Sequence, residues 1–236
     1  MNIALLPAGG VGERINQDIP KQFLNVYDKP IIIYTLEAFQ SHPDIDGIIV
    51  SCLSGWEEIL WAYAKQFNIT KLKWVVKGGQ NGQESIRNAV YALKDVCAGD
   101  DIVIVHDAVR PIAPVDMISD CIAKCRIHGN GLAALKYYET IVRTDDGIKG
   151  NSIINHRDVM RVQSPQAYRF DKLLWAQEEA LRRGITNSAY VNTLMIELGE
   201  TVYFSAGSDK NIKITTSEDV DLFKALYKIK RDDWMK

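Results

Sequence analysis

Cysteine is scarce in this chain, with four residues in 236: Cys52, Cys97, Cys121 and Cys125. None joins a second Cys or His pair at zinc-like spacing, so a structural zinc site is not expected. Cys121 and Cys125 stand one helical turn apart and read as a stripe of helix core rather than half a metal site. All four are expected as reduced thiols in cytoplasm. Neither sign of charge is in surplus: 28 basic side chains face 30 acidic ones, a formal net charge of -2. A nucleic-acid partner, which normally calls for a basic stripe, is therefore not expected. The longest apolar runs, Pro30 to Leu36 and Ile102 to Val105, fall far short of the ~20 residues of a membrane helix. No membrane role is expected. The first basic residue is Arg14, after the first apolar segment, so the charged leader of a secretory signal is missing and export is not expected. With 16 Gly, 7 Pro and 47% hydrophobic residues, the composition excludes collagen and disorder. A chain of this length can remove roughly 70% of its unfolded surface from water and needs no staple to fold.

What is present is an alternation of short Val- and Ile-rich runs with longer segments of helical period. That is the pattern of an α/β fold, a Rossmann-like, mostly parallel sheet flanked by helices. Strands are expected at Asn2 to Leu6, Gly47 to Leu53, Lys73 to Lys77, Asp101 to His106, Gly131 to Lys136 and Thr201 to Ser205. Helices are expected at Pro30 to Gln40, Trp56 to Phe67, Glu84 to Val96, Val115 to His128, Asp171 to Arg183 and Ser217 to Ile229, with Ser217 as the N-cap of the last. The whole chain, 1–236, reads as a single domain. Two stretches break the regularity. From Ala8 to Lys29 the loop is much longer than the usual ~2–6 residues between strand and helix. From Glu139 to Gln163 the sequence reads as a protruding β-arm, with Ile141-Val142-Arg143 and Ser152-Ile153-Ile154 around an Asp145-Asp146-Gly147 turn. An isolated two-stranded arm is marginal in water, so it is expected to pack on a partner subunit.

The candidate chemistry starts at Pro7-Ala8-Gly9-Gly10-Val11-Gly12, after the first strand, where small residues let backbone N–H groups approach an anion. It is not a Walker loop, because Glu13 follows Gly12 where a Lys would stand. It is not a dinucleotide fingerprint either, since the third glycine is missing. Arg14 in the loop and Lys21 after Pro20 supply the cations that a triphosphate calls for. The fourth strand ends in Val105-His106-Asp107-Ala108-Val109-Arg110-Pro111, placing a carboxylate and a guanidinium where open α/β sheets bind ligands. Asp107 could hold Mg²⁺, which usually takes one or two carboxylates with substrate phosphates. Its alternative role is a turn former. His106, within the strand, reads as structural.

Together with Pro20-Lys21-Gln22-Phe23, Gly78-Gly79 and Ser85, Glu139-Thr140, Ser164-Pro165-Gln166 and Asn211-Ile212-Lys213-Ile214-Thr215, these segments resemble the polyol-phosphate cytidylyltransferases. That family includes the methylerythritol-phosphate enzyme of isoprenoid synthesis and the ribitol-phosphate enzyme of wall and capsule synthesis. The resemblance spans nearly the whole chain in order. It implies a nucleotidyltransferase (GT-A-like) fold, CTP and a polyol phosphate as substrates, Mg²⁺, and a homodimer joined through the arm at 139–163. Carried over by position, it implies that Pro7, Ala8, Gly9, Gly10 and Gly12, with Arg14 and Lys21, bind the triphosphate, and that Lys213 meets the α-phosphate. Gly79, Gln80, Ser85 and Ala108 would surround the nucleoside, and Asp107 would be the metal ligand. Arg110, Glu139, Thr140 and either His156 or Arg157 would meet the acceptor, those in the arm from the neighbouring subunit.

The chain departs from the family pattern at several positions. Gly82 stands where an Arg is usual, Glu139 where Asp is usual, and Ala189-Tyr190-Val191-Asn192-Thr193 where a Thr-Asp-Glu/Ala segment is usual before Gly199. An alditol phosphate such as ribitol 5-phosphate is the acceptor favoured by Glu139-Thr140-Ile141-Val142 and the Tyr190 region, with methylerythritol phosphate as the alternative. A glycosyltransferase would need an Asp-x-Asp, and His106-Asp107-Ala108 has one carboxylate. A nucleotide-binding regulator that has lost catalysis is the remaining class.

Overall fold

β-Branched side chains pack well on a pleated surface, and the Val- and Ile-rich runs become strands. The structure is a computed structural model that describes residues 1–10 and 19–233. The elements are β1 (Asn2–Ala8), β2 (Asn25–Val26), β3 (Lys29–Pro30), α1 (Ile31–Ser41), β4 (Gly47–Cys52), α2 (Glu57–Gln66), β5 (Leu72–Lys77), α3 (Gly82–Ala92) and β6 (Ile102–Val105). There follow α4 (Val115–His128), β7 (Asn130–Lys136), β8 (Ile141–Arg143), β9 (Ser152–Ile154), β10 (Met160–Arg169), α5 (Phe170–Arg182), α6 (Val191–Glu197), β11 (Phe204–Ala206) and α7 (Ser217–Asp233).

One seven-stranded sheet has the order β11-β7-β10-β6-β1-β4-β5. β1 runs parallel to β4 and β6, β4 to β5, and β11 to β7, while β10 is antiparallel to both its neighbours. Alternate residues of each strand feed opposite layers. Ala4, Leu6, Ile48 and Val50 pack with α1, α2 and α4, whereas Ile3, Leu5, Ile49 and Val103 pack with α3, α5 and α6. Each fully buried Ile or Leu contributes roughly 1.5–3 kcal/mol. Cys121 and Cys125 face the sheet from α4 as free, buried thiols, which burial pushes up to about 12. No helix among the described residues is long and apolar enough to cross a membrane.

Four differences from the expected elements have local causes. Thr201 to Tyr203 is not strand: the side chain of Asn130 takes its backbone bonds, donating to Thr201 O at 2.9 Å and accepting from Tyr203 N–H at 2.8 Å. α3 begins at Gly82 rather than Glu84, because Asn81 caps it by accepting the Glu84 N–H at 2.9 Å. α7 is capped by Thr216 rather than Ser217. Its hydroxyl accepts the Asp219 N–H at 3.3 Å, and the Asp219 carboxylate accepts the Thr216 N–H at 2.8 Å, a reciprocal box. The arm ends earlier than 163, since Met160 already pairs with Lys136 in the main sheet.

A buried histidine gives this fold a pH dependence. His42 is fully buried after α1, with Nδ1 accepting the Asp44 N–H at 3.2 Å and Nε2 within 3.2 Å of Val115 O and 3.0 Å of Ser119 Oγ. The ring is therefore neutral, and burial holds its pKa below the ordinary 6.5. The unfolded chain takes up the proton first as pH falls, so stability is full above about 6.5 and is lost below it. Charging Nδ1 also sets a donor against the Asp44 N–H, a cost of about 1–3 kcal/mol. Urea unfolding should show the parent losing stability between pH 7.5 and pH 5 and His42→Gln losing less. Equal losses would contradict this.

Candidate active site

The carboxyl ends of β1, β5 and β6 open onto two adjoining cavities of about 340 and 290 Å³, which share Pro7, Ile86, Asp107 and Tyr190. The larger is floored by glycine backbone. A Cβ on Gly9 would lie 2.9 Å from Ser85 Oγ and 3.3 Å from Gly78 Cα, and one on Gly78 would lie 3.0 Å from Gly9 Cα. Only two glycines allow the loops after β1 and β5 to meet so closely. Gln22, 2% exposed, holds the first loop open by donating from Nε2 to Ala8 O at 2.8 Å and Gly10 O at 3.0 Å. Gln22 belongs to a one-turn 3₁₀ helix, Lys21–Phe23, which Phe23 anchors by stacking on Trp56 at 4.6 Å. Lys21 lines the cavity from that turn. In the second loop the Gly79 N–H donates to Ser85 Oγ at 3.0 Å and the Gln80 N–H to Glu84 at 2.7 Å.

Beyond β6 the chain turns sharply, the Arg110 N–H donating to Asp107 O at 3.0 Å, and the buried hydroxyl of Thr35 donates to Ala108 O at 2.9 Å. Segment 211–214 is laced to this turn. Arg110 donates to Asn211 O at 2.7 Å, and the Ile214 N–H donates to Val109 O at 2.9 Å. Lys213 thereby arrives beside Asp107. The Asp107 carboxylate accepts from Arg110 Nε at 2.9 Å and Lys213 Nζ at 3.2 Å, and its N–H donates to Ser164 Oγ at 3.0 Å. Burial acts to raise the Asp107 carboxyl, but Lys213 and Arg110 outweigh it and hold the group below its ordinary value. The ammonium of Lys213 also lies 5.1 Å from the centre of the Tyr190 ring. A ring face positions a cation without neutralising it. His106 is fully buried, with Nε2 at 3.1 Å from Arg110 O, and burial pushes it down to about 4. Its role is structural, as expected, but it serves the turn after β6, which ends at Val105, rather than the strand.

The structure brings together Pro7, Ala8, Gly9, Gly10, Lys21, Gly79, Gln80, Ser85, Asp107, Ala108 and Lys213 around the larger cavity, and Arg110 at the smaller. Gly12 and Arg14 lie outside the described residues. Glu139, Thr140, His156 and Arg157 are exposed on or beside the arm and line neither cavity. Three contributors were not singled out as site residues in the sequence: Gln22, Ser164 and Asn192. The first two sit in segments already noted, Pro20 to Phe23 and Ser164 to Gln166, which was the available signal. Asn192 lies in the stretch from Ala189 to Thr193 that departs from the family pattern, and that departure was the signal there.

Among the described residues no group of three or more His, Cys, Asp or Glu could hold a metal ion. A single ionised carboxylate at the junction of two cavities does fit a Mg²⁺ whose other ligands are phosphate oxygens and water. A larger cavity, about 640 Å³, lies at the opposite end of the sheet among His128, Arg169, Trp175 and Tyr203. Arg169 and Lys172 there are already paired, with Asp171 and Glu200. Size alone does not make it the site.

Comparison with known proteins agrees with the geometry. The family profile described as IspD, 2-C-methyl-D-erythritol 4-phosphate cytidylyltransferase, matches residues 2–228. A Lacticaseibacillus paracasei protein named ribitol-5-phosphate cytidylyltransferase is 48% identical over 227 residues, 95% of this chain and 97% of its own. A Clostridium novyi protein named 2-C-methyl-D-erythritol 4-phosphate cytidylyltransferase is 33% identical, over 95% of this chain and 96% of its own. The crystal structure of the Francisella tularensis 2-C-methyl-D-erythritol 4-phosphate cytidylyltransferase superposes with a TM-score of 0.77 at 27% identity, covering 95% of this chain and 99% of that one.

Proposed function

Because the chain belongs to the IspD family of cytidylyltransferases, we propose that it transfers the cytidylyl group of CTP to ribitol 5-phosphate. The phosphate monoester of the acceptor attacks the α-phosphorus of CTP, a P–O bond forms, the bond to the β-phosphate oxygen breaks, and CDP-ribitol and pyrophosphate leave. What carries the reading is Asp107, shared by both cavities, with Lys213 and Arg110 on its carboxylate and Lys21 across the larger one. The ribitol acceptor is favoured over methylerythritol phosphate by 48% identity to the one named relative against 33% to the other.

The acceptor phosphate is already an anion at neutral pH, so the reaction calls for no general base. What the chain must supply is positive charge where negative charge accumulates. The backbone of Ala8 to Gly10 cradles the triphosphate and Lys21 covers it, while Gly79, Gln80, Ser85 and Ala108 flank the nucleoside. Lys213, steadied by Asp107 and the Tyr190 face, lies at the junction where the two phosphates meet. Arg110, held by Asp107 and Asn211, presents its remaining N–H groups to the acceptor phosphate. Asp107 would hold Mg²⁺, which when bound supplies further positive charge to phosphate oxygens. The reading is of a cytoplasmic enzyme supplying an activated alditol for a surface polysaccharide.

Pyrophosphate release from CTP and Mg²⁺, screened against ribitol, glycerol, mannitol and methylerythritol phosphates, tests the assignment. Ribitol 5-phosphate should give the highest kcat/KM. A preference for methylerythritol phosphate would replace it with the alternative acceptor, and no release with any acceptor would favour a non-catalytic nucleotide binder.

The same reading includes a homodimer. Among the described residues β8 and β9 pair only with each other, Val142 opposite Ile153. The arm exposes Tyr138 (81%), Val142 (47%), Ile148 (89%) and Ile153 (76%) to solvent. A second copy covering this surface would also carry Thr140 and either His156 or Arg157 toward a neighbouring acceptor cavity. In analytical ultracentrifugation the parent should sediment as a dimer and Val142→Glu/Ile153→Glu should weaken association at least about tenfold, since two charges would be buried unpaired. A monomeric parent would remove the arm from assembly.

A further inference from the structure

Most polar side chains around the smaller cavity are already spoken for. Gln163 is closed on the backbone of Ser208, donating to its O at 3.0 Å and accepting from its N–H at 3.1 Å. Ser164 Oγ accepts the Asp107 N–H at 3.0 Å and lies 3.4 Å from that residue's carboxylate. Gln166, 6% exposed, sends Nε2 toward Gln163 O at 3.3 Å and Asn192 Oδ1 at 3.1 Å, and its Oε1 accepts the hydroxyl of fully buried Tyr168 at 2.8 Å. A backbone carbonyl can only accept, so the direction of the Gln166 amide is fixed, and with it that of Asn192. The Asn192 oxygen is turned to Gln166, which leaves its amide NH₂ as a neutral donor at a cavity whose cationic wall is Arg110.

A ligand suited to that cavity has an anion for the guanidinium and an uncharged oxygen acceptor for the amide. A polyol phosphate is such a ligand. We propose that Asn192 is a specificity-determining residue that donates a hydrogen bond to a hydroxyl of the acceptor's carbon chain, and that Gln166 is the positioning residue that sets the direction of that donor. This deepens the cytidylyl-transfer reading and rests on it.

The test is steady-state kinetics with ribitol 5-phosphate and CTP, varied separately. Asn192→Ala removes the donor and should raise KM for ribitol 5-phosphate about tenfold, the loss of one hydrogen bond to a desolvated group, with KM for CTP within about twofold of the parent. Gln166→Glu presents an acceptor on both oxygens, so Asn192 must turn its NH₂ inward and its carbonyl to the cavity. That variant should raise the same KM by a similar factor while leaving the Asn192 side chain in place. In the double variant the two effects should not multiply. An unchanged KM for ribitol 5-phosphate in Asn192→Ala, an equal rise in KM for CTP, or multiplying effects would each overturn the assignment while leaving the parent's activity intact. A parent without turnover would overturn the functional reading itself and this assignment with it.

Discussion

Lys21→Ala should lower kcat by roughly 10²-fold or more at saturating CTP, the scale of one preorganised donor removed from a developing oxyanion. The size follows from how the lysine is held. The 3₁₀ turn that carries it is pinned by Gln22 to the carbonyls of Ala8 and Gly10 and by Phe23 to Trp56. The lysine's backbone therefore belongs to the same rigid unit as the glycine floor, which sets where its charged side chain starts over the larger cavity. The neighbouring Asp219 reflects that charge: burial acts to raise its carboxyl, and the N–H groups of Thr215 and Thr216, aided by Lys21, bring it below its ordinary value. Truncation leaves the turn's anchors in place, so the urea midpoint should barely move. A variant with near-normal kcat would remove Lys21 from the chemistry.

Asp107→Asn should have the second largest effect. The carboxylate orients Arg110 toward one cavity and Lys213 toward the junction of both, and an amide cannot accept from the two cations as an anion does. Turnover should fall about 10²-fold, and the Mg²⁺ concentration giving half-maximal rate should rise. Asp107 lies beyond the end of β6, and its replacement leaves the sheet's apolar layers untouched, so the variant should remain folded by circular dichroism. An unchanged Mg²⁺ dependence would refute Asp107 as the residue that holds the ion.

Where sequence reading and structure agree, the cause is local. α4 begins and ends where its periodicity does, closed by Gly129 at φ 84°, and the arm's strands fall where the Asp-Asp-Gly turn sets them. β10 was illegible because Gln163-Ser164-Pro165-Gln166 is polar and carries a proline, which argues against a central strand. The sheet accommodates it through a register shift between Val162 and Gln166, and the irregularity is what turns Ser164 toward Asp107. α6 is only seven residues long and read as a broken motif. The direction of the Asn192 amide depends on Gln166, 26 residues away, and on Tyr168 beneath the sheet's surface, so no local pattern encodes it. The glycine loop and Asp107-x-x-Arg110 could be read because each follows a strand that periodicity identifies. Their convergence with Lys213 was legible only through the family resemblance, because no periodicity encodes the backbone hydrogen bond from the Ile214 N–H to Val109 O that makes it.

The central claim is that cations gathered around Asp107 receive a nucleoside triphosphate against the glycine floor, and a crystal structure with CTP tests it most directly. The account predicts the triphosphate on the backbone of Ala8 to Gly10, within reach of Lys21 and Lys213, with the cytosine between the loop at Gly79 and Ser85. CTP seated instead in the wider cavity between Arg169 and Tyr203 would contradict it.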